Sequence, residues 1–281
     1  MKGLITKKQP TLFVVRYGEK ECFCTARGNL KKEGLFVGDF VEFDEEGKVI
    51  NAVLPRKNCI IRPPLANLDK MFVVIAEKPK PDFELVDKLI LFCITNNIQP
   101  VLCVNKVDEN AEFVEFVKNI YGKSFDIVST SAKINMTDAL KEQIKGICAF
   151  AGQSAVGKSS LINSMFGKDF EAVGDFGKKV ERGKQTTRLV TLYPFGKDSF
   201  IADTAGFSQL DERYLDIDYH ELSRYYPDFY PYVNECKYQS CPHTHSGDCA
   251  VIKAVKEGKI PKQRYENYLK LLASKKNEKK Y

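Results

Sequence analysis

The segment Gly152-Gln-Ser-Ala-Val-Gly-Lys-Ser159 constrains the fold of this chain more than any other. It matches the phosphate-loop pattern, in which glycines let backbone N–H groups surround a phosphate at the start of a helix. An apolar strand pattern over 146–151 precedes the loop and a helical pattern over 158–165 follows it, as such a loop requires. A glycine-rich turn before an ordinary core helix is the alternative. The context favours an α/β domain that binds a phosphorylated ligand.

Each chemical group of this loop has an expected role. Lys158 would bridge the β- and γ-phosphates of a nucleotide, and the Ser159 hydroxyl would be a Mg²⁺ ligand. Backbone N–H groups of the loop and of the first helical turn would bind the other phosphate oxygens. The predicted phosphate-binding residues are therefore Gly152, Gln153, Ser154, Ala155, Val156, Gly157, Lys158, Ser159 and Ser160.

The choice of base is indicated by Asn105-Lys-Val-Asp108, which follows the predicted strand 100–104. A carboxylate at this position can accept hydrogen bonds from the ring N–H and 2-amino group of guanine, and adenine lacks that amino group. Ser129-Thr-Ser-Ala-Lys133 follows the next predicted strand, and its backbone can contact guanine O6. Polar turns of either kind are common, but the combination favours guanine. The predicted base-binding residues are Asn105, Lys106, Val107, Asp108, Ser131, Ala132 and Lys133.

Two further segments supply the expected γ-phosphate and metal groups. Asp203-Thr-Ala-Gly206 follows the predicted strand 199–202, so that Asp203 would hold Mg²⁺ through water and the Gly206 N–H would contact the γ-phosphate. Thr186 and Thr187 are the candidate switch threonines. The predicted magnesium residues are therefore Ser159, Thr186, Thr187 and Asp203.

The order of these motifs is unusual. Ordinary GTPases place the phosphate loop first and the guanine motifs last, whereas here residues 105–133 precede residues 152–206. Such a circular permutation is physically allowed because native chain ends commonly lie close together on the surface. It also joins the nucleotide-sensing switch directly to the C-terminal segment. The motif order predicts a circularly permuted GTPase domain.

The flanks of this domain differ from it in pattern. Residues 1–62 show short β segments at 11–17, 21–26, 40–43 and 49–54, which suit a small barrel. Pro63-Pro64 breaks this pattern, and after about residue 208 the chain becomes helical and rich in turns. We therefore expect a multidomain α/β protein with domains at 1–64, 65–207 and 208–281.

Cys236-x4-Cys241-x-His243-x5-Cys249 offers three thiolates and an imidazole within the C-terminal segment. This donor set suits tetrahedral Zn²⁺ with no open position, which predicts a structural rather than a catalytic ion. Reactive or incidental cysteines are the alternatives, and His245 competes with His243 as the fourth ligand. The spacing favours His243.

Charge and composition fit a cytoplasmic protein with a polyanionic partner. The chain carries a net charge of +6, with 12 basic and 8 acidic residues in 1–66 and 10 against 3 in 251–281. The middle, 67–207, is neutral with 18 of each. The odd number of cysteines, the absence of an apolar leader and the shortness of the apolar runs predict reduced thiols and no membrane segment.

Taken together, the permuted motifs and the Cys/His spacing resemble the RsgA (YjeQ) family along essentially the whole chain. The resemblance implies an N-terminal OB-fold, a circularly permuted P-loop GTPase domain and a C-terminal helical zinc-binding domain. It also implies binding of GTP and GDP, Mg²⁺ with GTP, and one structural Zn²⁺. As partners it implies the 30S subunit and its 16S rRNA, with hydrolysis stimulated by that particle. We expect a monomer.

Two positions depart from the pattern of that family. Ala155 stands in the phosphate loop where the family usually has glycine, and Gln185 stands where its switch has histidine. Gln185 is the candidate residue for orienting water, with Lys158 stabilising the transferring phosphoryl group. A solvated loop position is the other reading of Gln185. The alternative function is an RNA-binding module whose guanine nucleotide is regulatory and poorly hydrolysed, and a permuted GTPase of the large subunit is a further rival.

Overall fold

The computed structural model describes residues 1–28, 30, 34–167, 190–203, 215–238, 240–245 and 247–278. Its strands are β1 (Lys2–Lys8), β2 (Phe13–Tyr17), β3 (Lys20–Ala26), β4 (Phe40–Asp44), β5 (Val49–Val53), β6 (Cys59–Ile60), β7 (Leu65–Ala66), β8 (Lys70–Ile75), β9 (Gln99–Val104), β10 (Ile127–Ser129), β11 (Ile147–Ala151), β12 (Thr191–Pro194) and β13 (Phe200–Asp203). Its helices are α1 (Phe83–Thr95), α2 (Glu112–Tyr121), α3 (Asp138–Gln143), α4 (Lys158–Phe166), α5 (Tyr230–Val233), α6 (Ala250–Lys256) and α7 (Lys262–Glu278).

The first five strands close into a barrel. They follow the order β1-β2-β3-β5-β4, and β4 pairs back onto β1. The β3–β5 pair is parallel, which gives the connectivity of an OB-fold. Alternating exposed and buried residues along β3 and β4 place one face of each strand in the barrel core. The predicted barrel and its OB-fold class are confirmed.

Strand β1 is not predicted by the sequence pattern, in which the first β segment is at 11–17. Lysines at both ends of the strand obscure a buried stretch at residues 3–6. The strand is structurally central, because it pairs with β2 and β4 in the barrel and also with β12 through Lys7 and Thr191. It therefore joins the barrel to the second sheet.

The second sheet has the order β10-β9-β8-β11-β13-β12. Its neighbours from β10 to β13 are parallel, whereas β12, which also pairs with β1, is antiparallel to β13. β8, β9 and β11 read as apolar runs because both faces of the sheet are covered. From β8 the chain runs outward to β10 and then returns to β11 beside β8. This reversal creates a crevice at the carboxyl ends of the central strands, where α/β proteins bind ligands.

The apolar spacing in the sequence predicts helices over 110–121 and 136–144, and both helices are shorter in the structure. The helix predicted over 110–121 begins at Glu112, because the Asn110 side chain accepts a hydrogen bond from the Glu112 N–H at 2.9 Å. The helix predicted over 136–144 is α3, at 138–143, because Met136 forms a β-bridge with Ser131. Local side-chain and bridge hydrogen bonds compete with the helix at each of these starts.

The predicted linker at Pro63-Pro64 lies within a short hairpin formed by β6 and β7. The Ala66 N–H donates to the Val37 carbonyl at 2.8 Å, so this hairpin is attached to the barrel. No helix in the described ranges is long and apolar enough to cross a membrane.

The C-terminal helix α7 docks onto α1 through a buried ionic network. Arg264 is 1% exposed and donates to Asp87, and its Nε donates to Asp228 at 2.7 Å. Asn267 donates to Asp87 at 2.9 Å, and Tyr121 donates to the same carboxylate at 3.0 Å. Removing one partner of such a network would leave a buried charge uncompensated, which costs several kcal/mol. The network therefore fixes the C-terminal segment against the sheet domain.

Candidate nucleotide site and metal cluster

The structure brings together the base and phosphate motifs that are far apart in sequence order. The motif 105–108 follows β9, 129–133 follows β10, and the phosphate loop follows β11. Because these strands are parallel, the three segments meet at one edge of the sheet. Asp203 ends β13, next to β11 on its other side, as the pairing of Ala149 with Ala202 shows.

Asn105 joins the two halves of this site. Its side chain is 2% exposed, and its Nδ2 donates to the Val156 carbonyl in the phosphate loop at 2.9 Å. Its Oδ1 accepts a hydrogen bond from Thr130 Oγ1 at 3.2 Å. Asn105 is predicted to bind the base. In the structure its side-chain amide links its own loop to the loop that contains Thr130 and to the phosphate loop.

Lys106 bridges the same loops from the solvent side. Its Nζ donates to the Lys78 carbonyl at 2.8 Å and to the Ala155 carbonyl at 3.0 Å. The backbone of Lys106 has φ +63°, a left-handed conformation that turns the chain sharply after β9. The aliphatic stem thereby spans from the base motif to the phosphate loop, consistent with its predicted position over a purine ring.

Asp108 is held in place by the second base motif. Ser131 Oγ donates to its Oδ1 at 2.5 Å, and Lys133 Nζ lies 3.6 Å from its Oδ2. The Ser131 hydrogen bond is the main reason that the pKa of Asp108 lies below its usual range, and Lys133 adds to this effect. The carboxylate is therefore ionised at neutral pH and oriented. This role of the Ser131 side chain was not predicted. The one indication of it in the sequence is that the Ser-Ala-Lys motif begins with a hydroxyl residue.

The phosphate loop depends on left-handed backbone conformations at three positions. The φ angles are +131° at Gly152, +63° at Ala155 and +94° at Gly157. A Cβ on Gly152 would lie 2.3 Å from the Val74 carbonyl oxygen, and one on Gly157 would lie 2.4 Å from Asn105 Nδ2. Both glycines are thus required sterically. Ala155 adopts a conformation that favours glycine, which explains why glycine is usual at this position.

The charged and hydroxyl groups of the phosphate half lie around this loop. Lys158 Nζ donates to the carbonyls of Gly152 and Gln153, both at 2.8 Å, and burial lowers the pKa of this lysine. Ser159 and Ser160 are exposed in the first turn of α4. Burial raises the pKa of Asp203 at the end of β13. A hydroxyl and a carboxylate are the oxygen donors that Mg²⁺ prefers, so Ser159 and Asp203 fit this ion.

The remaining predicted residues lie outside the described residues. They are Gln185, Thr186, Thr187 and Gly206. The Gln153 side chain adds a contact that the sequence did not indicate, because its Oε1 accepts a hydrogen bond from the Asp82 N–H at 3.2 Å. Asp82 in turn caps α1 by accepting from the Leu85 N–H at 2.9 Å.

The predicted metal ligands converge in the C-terminal segment. The donor atoms of Cys236, Cys241, His243 and Cys249 all lie within 4.8 Å of one another. Cys236 Sγ lies 3.8 Å from Cys249 Sγ, and His243 Nδ1 lies 3.5 Å from each of these sulfurs. Ligands at about 2.3 Å from a tetrahedral ion are separated by about 3.8 Å, so these spacings fit one metal ion.

The two candidate histidines are clearly distinguished. His243 is 2% exposed, and burial lowers its pKa, which favours the neutral imidazole that binds metals. His245 instead pairs its Nδ1 with Thr244 Oγ1 at 2.7 Å and is not part of the cluster. Tyr265 donates to the His243 carbonyl at 2.7 Å and so fixes the ligand loop to α7.

Comparisons with known proteins agree with this architecture. A model of the RsgA GTPase family matches residues 53–213, more than half of the chain. The chain is 37% identical to the small ribosomal subunit biogenesis GTPase RsgA of Ruminiclostridium cellulolyticum, covering 96% of this chain and 92% of that protein. It is 40% identical to the protein of the same name from Caldanaerobacter subterraneus subsp. tengcongensis, covering 92% and 90%.

Solved structures show the same likeness in three dimensions. YjeQ from Thermotoga maritima superposes with a TM-score of 0.81 at 31% identity, covering 98% of each chain. YloQ, described as a circularly permuted GTPase, superposes with a TM-score of 0.77 at 27% identity, covering 99% of this chain and 95% of that one. The permuted motif order, the OB-fold barrel and these full-length matches show that the chain belongs to the RsgA family of circularly permuted GTPases.

Proposed function

We propose that this chain is a GTPase that binds the small ribosomal subunit in the cytoplasm and assists its maturation. The observation that carries this proposal is the meeting of guanine-type loops and a phosphate loop at adjacent strand ends, through Asn105 and Val156. It is supported by relatives that match nearly the whole chain and are named for this process. The alternative of a large-subunit factor has no such support.

In this proposal the base half selects guanine. The ionised Asp108 accepts from the ring N–H and the 2-amino group, while the Lys106 stem covers the ring. The backbone of residues 131–133 binds O6, and Val107 completes the loop. Adenine would leave these hydrogen-bonding groups without partners on the base, which is how a hydrogen-bonding site rejects it.

The phosphate half supplies charge and position for hydrolysis. Residues 152–160 surround the phosphates with N–H groups at the start of α4, and Lys158 exchanges its carbonyl contacts for phosphate oxygens. Ser159 and Asp203, together with Thr186 and Thr187, would hold Mg²⁺, which neutralises charge on the transferring phosphoryl group. Gly206 would donate to the γ-phosphate, and Gln185 would orient the attacking water.

The outer segments serve binding to the particle. We assign 1–64 to the barrel, 65–207 to the GTPase domain and 208–281 to the metal-binding domain. The positive balances at both ends of the chain favour contact with 16S rRNA, whose phosphates attract lysine and arginine. A chain of this kind would act as a monomer, with GTP favouring the bound state and GDP its release.

The Cys/His cluster would hold one structural Zn²⁺, because three thiolates and an imidazole complete its tetrahedral shell. Metal analysis of the purified protein should find one zinc per chain. Cys241→Ser should lose that zinc and lower the stability of the C-terminal segment, while intrinsic GTP hydrolysis is largely kept. Cys59→Ser, at a half-buried thiol outside the cluster, is the matched control and should keep the zinc. Zinc retained by Cys241→Ser would contradict the assignment.

The decisive experiment measures phosphate release from GTP and from ATP, each with purified 30S or 50S subunits or with neither. We expect slow release from GTP alone and strong stimulation by 30S subunits only. Release from ATP or stimulation by 50S subunits would contradict the proposal. No release under any condition would favour the alternative, an RNA-binding module in which guanine nucleotide is regulatory.

A further inference from the structure

A groove of about 780 Å³ lies between α1, α2 and α7, beside the loop that follows β8. It is distinct from the nucleotide site, although its wall includes Glu77 and Lys80, which flank the Lys78 carbonyl that Lys106 contacts. One side is formed by the first turn of α1, and the opposite side by α7. A ligand in this groove would therefore touch the sheet domain and the C-terminal helix at once.

The groove combines one exposed aromatic ring with negative charge. Phe116 is 49% exposed, and its ring lies 6.0 Å from Phe113 and 5.9 Å from Phe83. The groove is lined by five carboxylates and two ammonium groups, in a chain whose overall charge is +6. These charged residues are Glu77, Asp82, Glu84, Glu112, Glu266, Lys80 and Lys270. Two of the carboxylates already have ammonium partners: Glu84 pairs with Lys88 at 2.7 Å and lies 3.8 Å from Lys270, and Glu266 lies 3.5 Å from Lys262. Glu77, Asp82 and Glu112 supply the rest of the negative charge.

We propose that this groove binds an extended, arginine-rich protein segment. Guanidinium groups are planar cations that stack on aromatic faces and pair with carboxylates, and the lining of the groove contains both partners. RNA is disfavoured here, because its phosphates would face an excess of carboxylates. The identity of the partner rests on the proposed function. If the chain binds the small ribosomal subunit, the groove would bind a basic protein of that subunit, while the basic segments 1–66 and 251–281 bind its RNA.

Binding can be measured without ribosomes by fluorescence anisotropy of a labelled nonapeptide of alternating arginine and serine. Phe116→Ala removes the exposed ring and should weaken binding about tenfold, since a partly desolvated cation–π contact contributes about that much. Glu112→Gln should weaken it about threefold. Glu115→Gln, which removes the same charge from the same helix outside the groove, is the matched control and should leave affinity unchanged.

Three results in this assay would overturn the inference. One is unchanged affinity in Phe116→Ala, in a variant whose circular dichroism and GTP hydrolysis show a native fold. A second is direct binding of a labelled nine-nucleotide single-stranded RNA to the wild type that is lost in Phe116→Ala. Equal losses in Glu112→Gln and Glu115→Gln would likewise show attraction to general surface charge.

Photocrosslinking then tests the setting, with p-benzoylphenylalanine in place of Phe116 and purified 30S subunits. We expect a crosslink to a subunit protein at an arginine-rich segment, lost when the free nonapeptide is added in excess. A crosslink to 16S rRNA, or none in a sample that co-sediments with the subunit, would overturn the inference and leave the proposed function intact. Failure to co-sediment would instead count against the proposed function, and the peptide assay would still decide what the groove binds.

Discussion

The base half and the phosphate half of the site are shaped in different ways. In the base half, side chains orient other side chains, whereas the phosphate loop takes its shape mainly from the conformation of its own backbone. Asp108 is oriented by Ser131 and Lys133. The phosphate loop instead takes its shape from left-handed φ angles at Gly152, Ala155 and Gly157. In the proposed function, we therefore expect the base half to distinguish ligands by matched hydrogen bonds and the phosphate half to bind any phosphate chain that its N–H groups can surround.

This difference has a consequence for mutations. A side-chain change in the base half should alter which base is bound, because the remaining scaffold is intact. A backbone-restricting change in the phosphate half should alter affinity for every nucleotide by a similar factor. Asn105 and Gly157 lie side by side where the two halves meet, since Asn105 donates to the neighbouring Val156 carbonyl.

The largest expected effect is a change of base preference in Asp108→Asn. An amide can donate to the 2-oxygen of xanthine and no longer accepts both guanine hydrogen bonds, so the GTP-to-XTP preference should fall by roughly 1000-fold. Calorimetric titration with GDP and XDP measures this ratio. Asp138→Asn, at a side chain that is 87% exposed on α3, is the charge-matched control. An unchanged ratio would contradict the base-half assignment.

Gly157→Ala should weaken GDP and XDP binding alike, by about 100-fold. The new Cβ would lie 2.4 Å from the buried amide of Asn105, whose hydrogen bonds prevent it from moving, and φ is +94°. Gly167→Ala is the matched control, because Gly167 has φ +70° but no atom within 4 Å of an added Cβ. If Gly167→Ala lost as much affinity, backbone strain alone would explain the loss in Gly157→Ala, and the close approach of the new Cβ to Asn105 would contribute nothing to it.

Ser131→Ala should shift the pH dependence of guanine binding. The Ser131 hydroxyl lowers the pKa of Asp108, so binding that requires the carboxylate is present above that pKa and lost as pH falls through it. Without the hydroxyl this loss should begin at a higher pH, and affinity at neutral pH should fall about tenfold. Because the pKa of Asp108 lies below its ordinary value of about 3.9, GDP titrations from about pH 7 down to about pH 2.5 measure the midpoint.

A serine that makes a comparable hydrogen bond elsewhere serves as the control for this shift. Ser199 Oγ donates to the Ile144 carbonyl at 3.2 Å, so Ser199→Ala loses one hydrogen bond away from Asp108. Its binding midpoint should match that of the wild type. A wild-type midpoint in Ser131→Ala would show that Ser131 does not set the charge of Asp108.

The same contrast explains what the sequence could predict. The motifs at 105–108, 131–133 and 152–159 are local patterns between strands and helices, so their residues and their shared sheet edge could be inferred from spacing and from strand polarity. The hydrogen bond from Asn105 to the Val156 carbonyl could not be predicted from the sequence. The base and phosphate motifs come together because β8 and β11 are neighbours in the sheet, and no local sequence pattern encodes that order.

Other features were missed for the same reason. Strand β1 is recognisable only through its partners β2, β4 and β12, since its own residues combine lysines with a short apolar stretch. Arg264 and Asp87 are 177 residues apart, and in sequence each resembles an ordinary surface charge on an amphipathic helix. Sequence reasoning is strongest where function needs residues at fixed short spacing, and weakest where distant elements are fastened together.

The smallest predicted effect is that of Ala155→Gly, which is expected to strengthen nucleotide binding, whereas the other substitutions in the site are expected to weaken it. Ala155 has φ +63°, a conformation that costs an alanine about 1 kcal/mol and a glycine little. Part of this gain is lost to the greater freedom of glycine in the unfolded chain, about 0.4–1 kcal/mol. We expect a slightly higher free energy of unfolding and an affinity for GDP and XDP that rises together by up to about threefold.

Ala111→Gly provides the matched control for that change. Ala111 precedes α2 with φ −71°, where alanine is unstrained, so the same substitution should lower the free energy of unfolding by a few tenths of a kcal/mol and leave affinity unchanged. Denaturant unfolding of the two variants separates the explanations by sign. Destabilisation of equal size in both would mean that the loop conformation at Ala155 is unstrained. A gain for GDP but not XDP would mean that the base and phosphate halves are coupled through Lys106, which donates to the Ala155 carbonyl.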